Sequence, residues 1–383
     1  MNRPHQSKRA GRLRRLVDIG GGGNIGSHLI AHLARLREVG ELLLIDSGTY
    51  EAKDIRSQEI NPDDVGRFKA LVQAQRASQI NPGLRITAIS ERVENVPWGL
   101  LNADVILTGL DSKASRCAVN LIAWRLGIPW IDAAVEADGL LARISVFRPG
   151  PNRSCMECAW DERDYATLDQ RHLCQPEAEA PATNATSSLG ALAAALQAIE
   201  CGKVLDGDWE HVAVDRQLLV DARSGALQVT TFSRSRRCRF DHVTWDLTRL
   251  VRIPVAAPLE AALALGRKKF GTKARISVAL EGKTFATKLT CPYCLQATPL
   301  FCVAQRAPQQ DGWCGKCKCP KVASGLDVIE RLDDTLPQAI RERPLNALGI
   351  QAGDFLQVSA GRKKLLVAVE DAAPTSKGSK RHE

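Results

Sequence analysis

Between residues 16 and 27 the chain reads Leu16-Val17-Asp18-Ile19-Gly20-Gly21-Gly22-Gly23-Asn24-Ile25-Gly26-Ser27. A short apolar run feeds G-x-G-x-x-G (Gly21, Gly23, Gly26). A helical pattern with Leu29, Ile30, Leu33 and Leu36 on one face follows. A second apolar run, Leu42 to Ile45, ends in Asp46. The order strand, glycine turn, helix, strand, acid is that of a nucleotide-binding unit. Glycines let the backbone approach phosphate oxygens, and the helix N-terminus offers unpaired N–H groups and partial positive charge. Gly21, Gly23, Asn24 and Gly26 are the cradle candidates. Asp46, 20 residues beyond Gly26, is placed to accept from ribose hydroxyls.

Strand patterns at 16–20, 42–46, 85–89, 104–109, 129–133 and 142–147 alternate with helical patterns at 26–38, 66–80 and 113–126. This alternation predicts an α/β fold, a Rossmann-like, doubly wound, mostly parallel sheet. Residues 159–188 are polar and weakly patterned, and read as a long loop. An Ala/Leu-rich helix is expected at 188–205, then strands at 212–220 and 227–232. A second strand pair, 274–280 and 283–289, feeds Cys291.

At 383 residues the chain accommodates two domains and a small third part. The reading divides it into a basic arm (1–15), a nucleotide domain (16–245), a C-terminal domain (246–372) and a disordered tail (373–383). The net charge of +9 is concentrated in the arm (Arg3, Lys8, Arg9, Arg12, Arg14, Arg15) and the tail (Lys377, Lys380, Arg381). These arms hold no aromatic residue, so base stacking on them, and with it a nucleic-acid role, is not expected. No apolar run of membrane length and no secretory signal stand out, which makes the cytoplasm the expected location and excludes a membrane partner from the reading.

Twelve cysteines in such a chain point to metal rather than a disulfide framework. Cys291-x2-Cys294-x19-Cys314-x2-Cys317 has zinc-ribbon spacing, with Pro292 and Gly315 inside the two tight turns. Cys302 and Cys319 are spare, and Cys319 can exchange for Cys317. Cys155-x2-Cys158 needs two further ligands. Cys117 and Cys201 sit in apolar helical surroundings and read as buried structural thiols.

Further motifs follow the glycine loop in a fixed order. They are Gln58; Asp64-Val65-Gly66-Arg67-Phe68-Lys69-Ala70; Gln79-Ile80-Asn81-Pro82; Leu110-Asp111-Ser112 with Arg116 and Asn120; Gly127-Ile128-Pro129; and Cys155-x-x-Cys158. In order and spacing, residues 16–245 resemble the ThiF/MoeB/HesA superfamily, which shares its fold with ubiquitin-activating enzymes. Residues 246–383 resemble no family.

The resemblance implies ATP- and Mg²⁺-dependent adenylation of the C-terminal carboxylate of a ubiquitin-like protein ending in glycine. Position by position, it implies that Asp46 binds ribose and Lys69 contacts phosphate. Asp111 would hold Mg²⁺ as the central acid, Gln58 would support the nucleotide, and Arg116 would orient the segment after Asp111. Asp111 also reads as a helix N-cap for 113–126. A zinc site of Cys155, Cys158, Cys238 and His242, with Asp241 as substitute for His242, is implied too.

The sequence departs from the pattern in three places. Gly48 stands where a second acid is usual. Asp54-Ile55-Arg56-Ser57-Gln58 replaces Asn-Leu-x-Arg-Gln, so the arginine's role falls to Arg56. The arginine that crosses the family's homodimer has only Arg12, Arg14 or Arg15 as candidates. A bacterial branch, found beside ubiquitin-like and conjugating-type proteins, has similar Ser57-Gln58 and Cys238-Arg239-Phe240-Asp241-His242 patterns. It implies transfer to an enzyme nucleophile and a conjugating-type carrier. Cys174 is the nucleophile candidate. The register from Gln197 and Glu200 instead points to 180–183, where there is no cysteine; Thr183, Thr186, Ser187 and Ser188 cluster nearby, where an oxygen ester is chemically possible, although they read better as caps of the helix from 188. Alternatives are a sulfur-carrier adenylyltransferase of thiamine or molybdopterin type, an NAD-dependent dehydrogenase, and a non-catalytic nucleotide-binding scaffold.

Overall fold

The computed structural model describes residues 12–169, 185–271, 274–307, 312–323 and 325–371. Cys174, Thr183, most of the basic arm and the tail lie outside these residues.

One compact unit ends at Trp245. Its sheet has the order β3-β2-β1-β4-β5-β6-β7-β8. These strands are β1 (Arg14–Ile19), β2 (Val39–Ile45), β3 (Arg85–Ile89), β4 (Val105–Thr108), β5 (Trp130–Glu136), β6 (Leu141–Phe147), β7 (Arg216–Asp221) and β8 (Ala226–Thr231). Pairing is parallel from β3 through β5 and antiparallel from β5 to β8. The helices are α1 (Gly26–Leu33), α2 (Lys69–Ile80), α3 (Lys113–Leu126), α4 (Glu162–Asp169) and α5 (Ser187–Asp206). Leu16, Leu42, Val105, Ile131 and Ile144 are fully buried, as expected for strands covered on both faces.

Local chemistry explains where elements depart from the periodic pattern. α1 stops at Leu33, five residues short of the expected end, because the following carbonyls are claimed elsewhere. Asn81 Nδ2 donates to Ala34 O (3.1 Å), and Arg14 N takes Glu38 O (2.7 Å), turning the chain into β2. α2 starts at Lys69 rather than 66. Gly66 N donates to Tyr50 O and Tyr50 N to Arg67 O, so those residues form a bridge instead of a helical turn. α2 ends before Asn81-Pro82, where proline disfavours a further helical residue. α4 lies inside the stretch read as a loop. β1 opens at Arg14, inside the stretch read as a basic arm.

α5 is the central helix. By length and composition alone its 20 residues can cross a membrane, contrary to the expectation that no run would. Here it is more than half buried, and Gln197 Nε2 ties it to the sheet through Thr108 O (3.0 Å) and Ile131 O (2.8 Å). Thr186 caps it, its Oγ1 accepting from Leu189 N.

The second unit takes in 95–100 and runs on from Asp246. Its strands are β9 (Val251–Pro254), β10 (Ser277–Leu280), β11 (Phe285–Thr290), β12 (Ala297–Val303), β13 (Val328–Ile329), β14 (Arg331–Asp333), β15 (Phe355–Ala360) and β16 (Lys363–Glu370), with α6 (Leu259–Phe270). They form a five-stranded sheet, β14-β10-β15-β16-β9, and a three-stranded one, β12-β11-β13. The expected strand pair is therefore split. β10 pairs with β14 and β15, whereas β11 pairs with β12 and β13. Leu259, Leu263, Val278, Leu356 and Val367 make the core between α6 and the larger sheet.

Candidate functional site

The glycine turn joins β1 to α1. A Cβ on Gly26 would stand 2.5 Å from Gly21 Cα, so α1 meets the loop too closely for any side chain there. Asp46, at the end of β2, accepts from Gly22 N (2.9 Å) and Gly48 N (2.8 Å). The acid expected at ribose thus also holds the loop in shape.

Lys69 opens α2, and its stem runs between two glycines. A Cβ on Gly22 would sit 2.2 Å from Lys69 Cβ, and one on Gly48 would sit 3.1 Å from Lys69 Cδ. The Gly48 departure from the family pattern is therefore occupied space. Lys69 Nζ donates to Gln58 Oε1 (3.1 Å), pairs with Asp54 (3.5 Å) and lies over the Tyr50 ring. Gln58 Nε2 donates to Asp54 Oδ1 (2.9 Å), closing a Lys69–Gln58–Asp54 triangle. Asn24 Nδ2 donates to Ser57 O (2.7 Å) and reaches Ala185 O and Thr186 O, linking the loop to the start of α5.

Asp111 follows β4, is exposed as a residue, and lies near enough to Lys69 and Asp46 to feel their charges. The surrounding protein still raises its pKa by desolvation, while Arg116 and Lys69 oppose that rise. The expected capping role falls instead to Ser112, whose Oγ accepts from Ser115 N. Asp111 is left uncommitted to the helix. Arg116 Nε donates to the buried Asp132 (3.1 Å), which also accepts from Thr108 Oγ1 (2.7 Å), so the first turn of α3 is pinned to β5. Arg56 is exposed at the end of a 3₁₀ turn, Ala52–Arg56. Arg14 and Arg15 pair with Asp104 and Glu41 of their own chain (3.1 Å each).

Four candidate ligands, Cys155, Cys158, Cys238 and His242, meet at one place. Cys155 Sγ lies 3.8 Å from Cys158 Sγ and 3.6 Å from Cys238 Sγ, and Cys158 Sγ lies 3.2 Å from His242 Nε2. His242 Nδ1 donates to Phe240 O (2.8 Å), leaving Nε2 for a metal. His242 itself holds a left-handed backbone (φ 57°) that turns it inward. Asp241 is no substitute: Arg125 grips both its oxygens at 2.8 Å. The donor set, three thiols and an imidazole, fits zinc.

The second cluster holds Cys291, Cys294, Cys314 and Cys317, with sulfurs all within 4.8 Å. Cys319 lies outside that set, 3.6 Å from Cys291. The exchange with Cys317 read from the sequence is not what the structure displays. Cys302 is buried on β12, and Cys201 is buried with its thiol pushed up to about 12 by burial. Cys117 is only half-buried.

The sequence profile of the ThiF family matches residues 8–240. The chain belongs to the ThiF family. It is 27% identical over 188 residues to the sulfur carrier protein ThiS adenylyltransferase of Escherichia coli, covering 48% of this chain and 70% of that protein. It is 28% identical over 173 residues to ubiquitin-like modifier-activating enzyme 5 of Oryza sativa subsp. japonica, covering 41% and 40%. The chain thus spans well under half of that second relative. Superposed on a crystal structure of E. coli MccB with succinimide, it gives a TM-score of 0.48 at 23% identity, over 58% of this chain and 66% of that one.

This ThiF-family site also contains a group that sequence reasoning missed. Asp18, next to the C-terminal end of β1, is fully buried and neither oxygen has a hydrogen-bond partner. A Cβ on Gly21 would stand 2.6 Å from Asp18 Oδ2, so the acid lies directly beneath the glycine loop. Burial, then the charge of Asp46, pushes its pKa from 3.8 up to about 8. The only signal was an acid inside an apolar strand run.

Proposed function

We propose that the glycine-loop site binds ATP and adenylates the C-terminal carboxylate of a small protein ending in glycine. One observation carries this reading: a lysine stem laid against the glycine loop, between Gly22 and Gly48, with Asp111 near enough to feel its charge. Attack of a carboxylate on the α-phosphorus brings two anions together, so the reaction needs positive charge and positioning more than a proton carrier. Lys69 supplies a cation whose resting partners, Asp54 and Gln58, release it to phosphate when nucleotide enters. The turn into α1 and the N-terminus of that helix offer N–H donors, and Asp46 takes the ribose. Asp111, a hard oxygen donor, holds Mg²⁺ with the nucleotide; the ion supplies charge neutralisation at the phosphates. Arg116, anchored on Asp132, keeps the Asp111 segment in place.

Both cysteine clusters hold zinc in a structural role, one ion each. The first ties the turn at Cys155 to the segment that follows β8. Whether the partner is ubiquitin-like or a sulfur carrier is settled by its product. Candidate partners of both kinds are incubated with ATP, and intact mass is read before and after adding a sulfur donor or a conjugating-type protein. A thioester or onward conjugate supports ubiquitin-like activation, which we favour because the chain carries a second unit with its own cysteine cluster. A thiocarboxylate alone supports the sulfur-carrier reading. No adenylate on any glycine-ending partner contradicts the proposal.

A further inference from the structure

The two turns of the second cysteine cluster are built alike. In the first, Leu295 N donates to Cys291 O (3.0 Å), Cys291 N to Gln296 O (3.0 Å) and Cys294 N to Cys291 Sγ (3.4 Å). In the second, Lys318 N donates to Cys314 O (2.9 Å), Cys314 N to Cys319 O (2.8 Å) and Cys317 N to Cys314 Sγ (3.3 Å). Leu295 and Lys318 hold matching left-handed backbones, φ 58° and 51°. Cys319 therefore occupies the place of Gln296. The side chains cross over in the same way: Gln296 Oε1 lies 3.8 Å from Cys314 Sγ, and Cys319 Sγ lies 3.6 Å from Cys291 Sγ.

This correspondence assigns Cys319 a position outside the four ligands, touching one of them. A glutamine there is inert, whereas a thiol is not. Cys319 is also half-buried rather than sealed. The first cluster has three cysteines and a histidine and no such extra thiol among the described residues.

We propose that Cys319 is a modification site: hydrogen peroxide oxidises it, it forms a disulfide with Cys291, and the cluster opens. The Cys319 sulfur attacks the peroxide O–O bond and becomes a sulfenic acid. The Cys291 sulfur then attacks the Cys319 sulfur, the S–O bond breaks, and hydroxide leaves. One thiol, one thiolate and one peroxide give one disulfide, one water and one hydroxide. The sulfurs lose two electrons, and the peroxide gains them. Only Cys294, Cys314 and Cys317 remain as ligands, too few to retain a structural zinc.

The inference rests on zinc occupying this cluster, and the test separates the two. Zinc content of the untreated full chain is measured first, with Cys319→Gln and Cys319→Ser beside the wild type. All three carry the same zinc if Cys319 is not a ligand. Peroxide is then added, zinc release is followed with a chromogenic chelator, and disulfides are mapped by peptide mass spectrometry. The wild type releases one zinc as a Cys291–Cys319 disulfide appears. Cys319→Gln, which copies the other turn, releases it more slowly by about tenfold or more. Loss of zinc from the untreated Cys319 variants overturns the proposal by making Cys319 a ligand. Equal release rates, or a disulfide that omits Cys319, overturn it as well. A wild type without zinc at this cluster overturns the zinc reading itself.

Discussion

Lys69 lies so close to Gly22 that a methyl group at position 22 would sit 2.2 Å from the lysine Cβ. The contact joins the glycine loop to the cation we propose serves it. Gly22→Ala is expected to displace Lys69 or the loop while leaving the sheet intact. Nucleotide-dependent activity should fall by about 10²-fold, the effect of misplacing a reacting group by about 1 Å. Thermal unfolding of the same variant, with its melting temperature close to wild type, distinguishes a displaced lysine from a damaged fold.

Asp18 makes stability depend on pH in a definite direction. Its folded pKa of about 8 exceeds the ordinary 3.8, so the folded chain binds a proton that the unfolded chain releases. Its contribution is intact below about pH 4 and is lost as pH rises through about 8, by about 1.4 kcal/mol per pH unit. Asp18→Asn removes the titration. Denaturant melts at pH 5 and pH 9 should show the variant gaining on the wild type at the higher pH. An equal difference at both would contradict a protonated Asp18.

His242 and the adjacent Asp241 have opposite assignments. His242→Ala should lose one zinc per chain and drop the melting temperature sharply, since a structural zinc is part of the folding energy. Asp241→Ala should keep that zinc. It costs only the charge-assisted hydrogen bonds to Arg125, about 1.5–3 kcal/mol. Elemental analysis of the two purified variants reads the difference.

Ser112 and Asp111 separate capping from chemistry. Ser112→Ala loses a helix cap and should cost about 1 kcal/mol of stability with activity largely kept. Asp111→Ala should do the reverse. Paired melting curves and activity assays on the two variants test this.

The nucleotide half was legible because its signals are local. A glycine turn, an apolar period and an acid at a strand end each act within a few residues, and β3, β4 and α3 fall within a residue of where the pattern places them. What escaped depends on partners distant in sequence. α1 ends early where Asn81 and Arg14 take the carbonyls of Ala34 and Glu38 beyond it. The pair 274–280 and 283–289 divides because β10 finds its partner in β15 and β11 in β12, both distant in sequence. Asp18 looked like any residue of β1 until the loop above it and the absence of a donor were visible. Asp241 read as a substitute for His242 until its ion pair with Arg125, 116 residues away in sequence, was visible.

We propose that Lys69, laid against the glycine loop, and Asp111, within reach of its charge, drive adenylyl transfer to a protein carboxylate. Exchange of labelled pyrophosphate into ATP, measured with and without a glycine-ending partner, tests it most directly. The account predicts partner-dependent exchange in the wild type that both Lys69→Ala and Asp111→Ala abolish. Exchange that survives in either folded variant, or tight NAD binding with no exchange in the wild type, would contradict it.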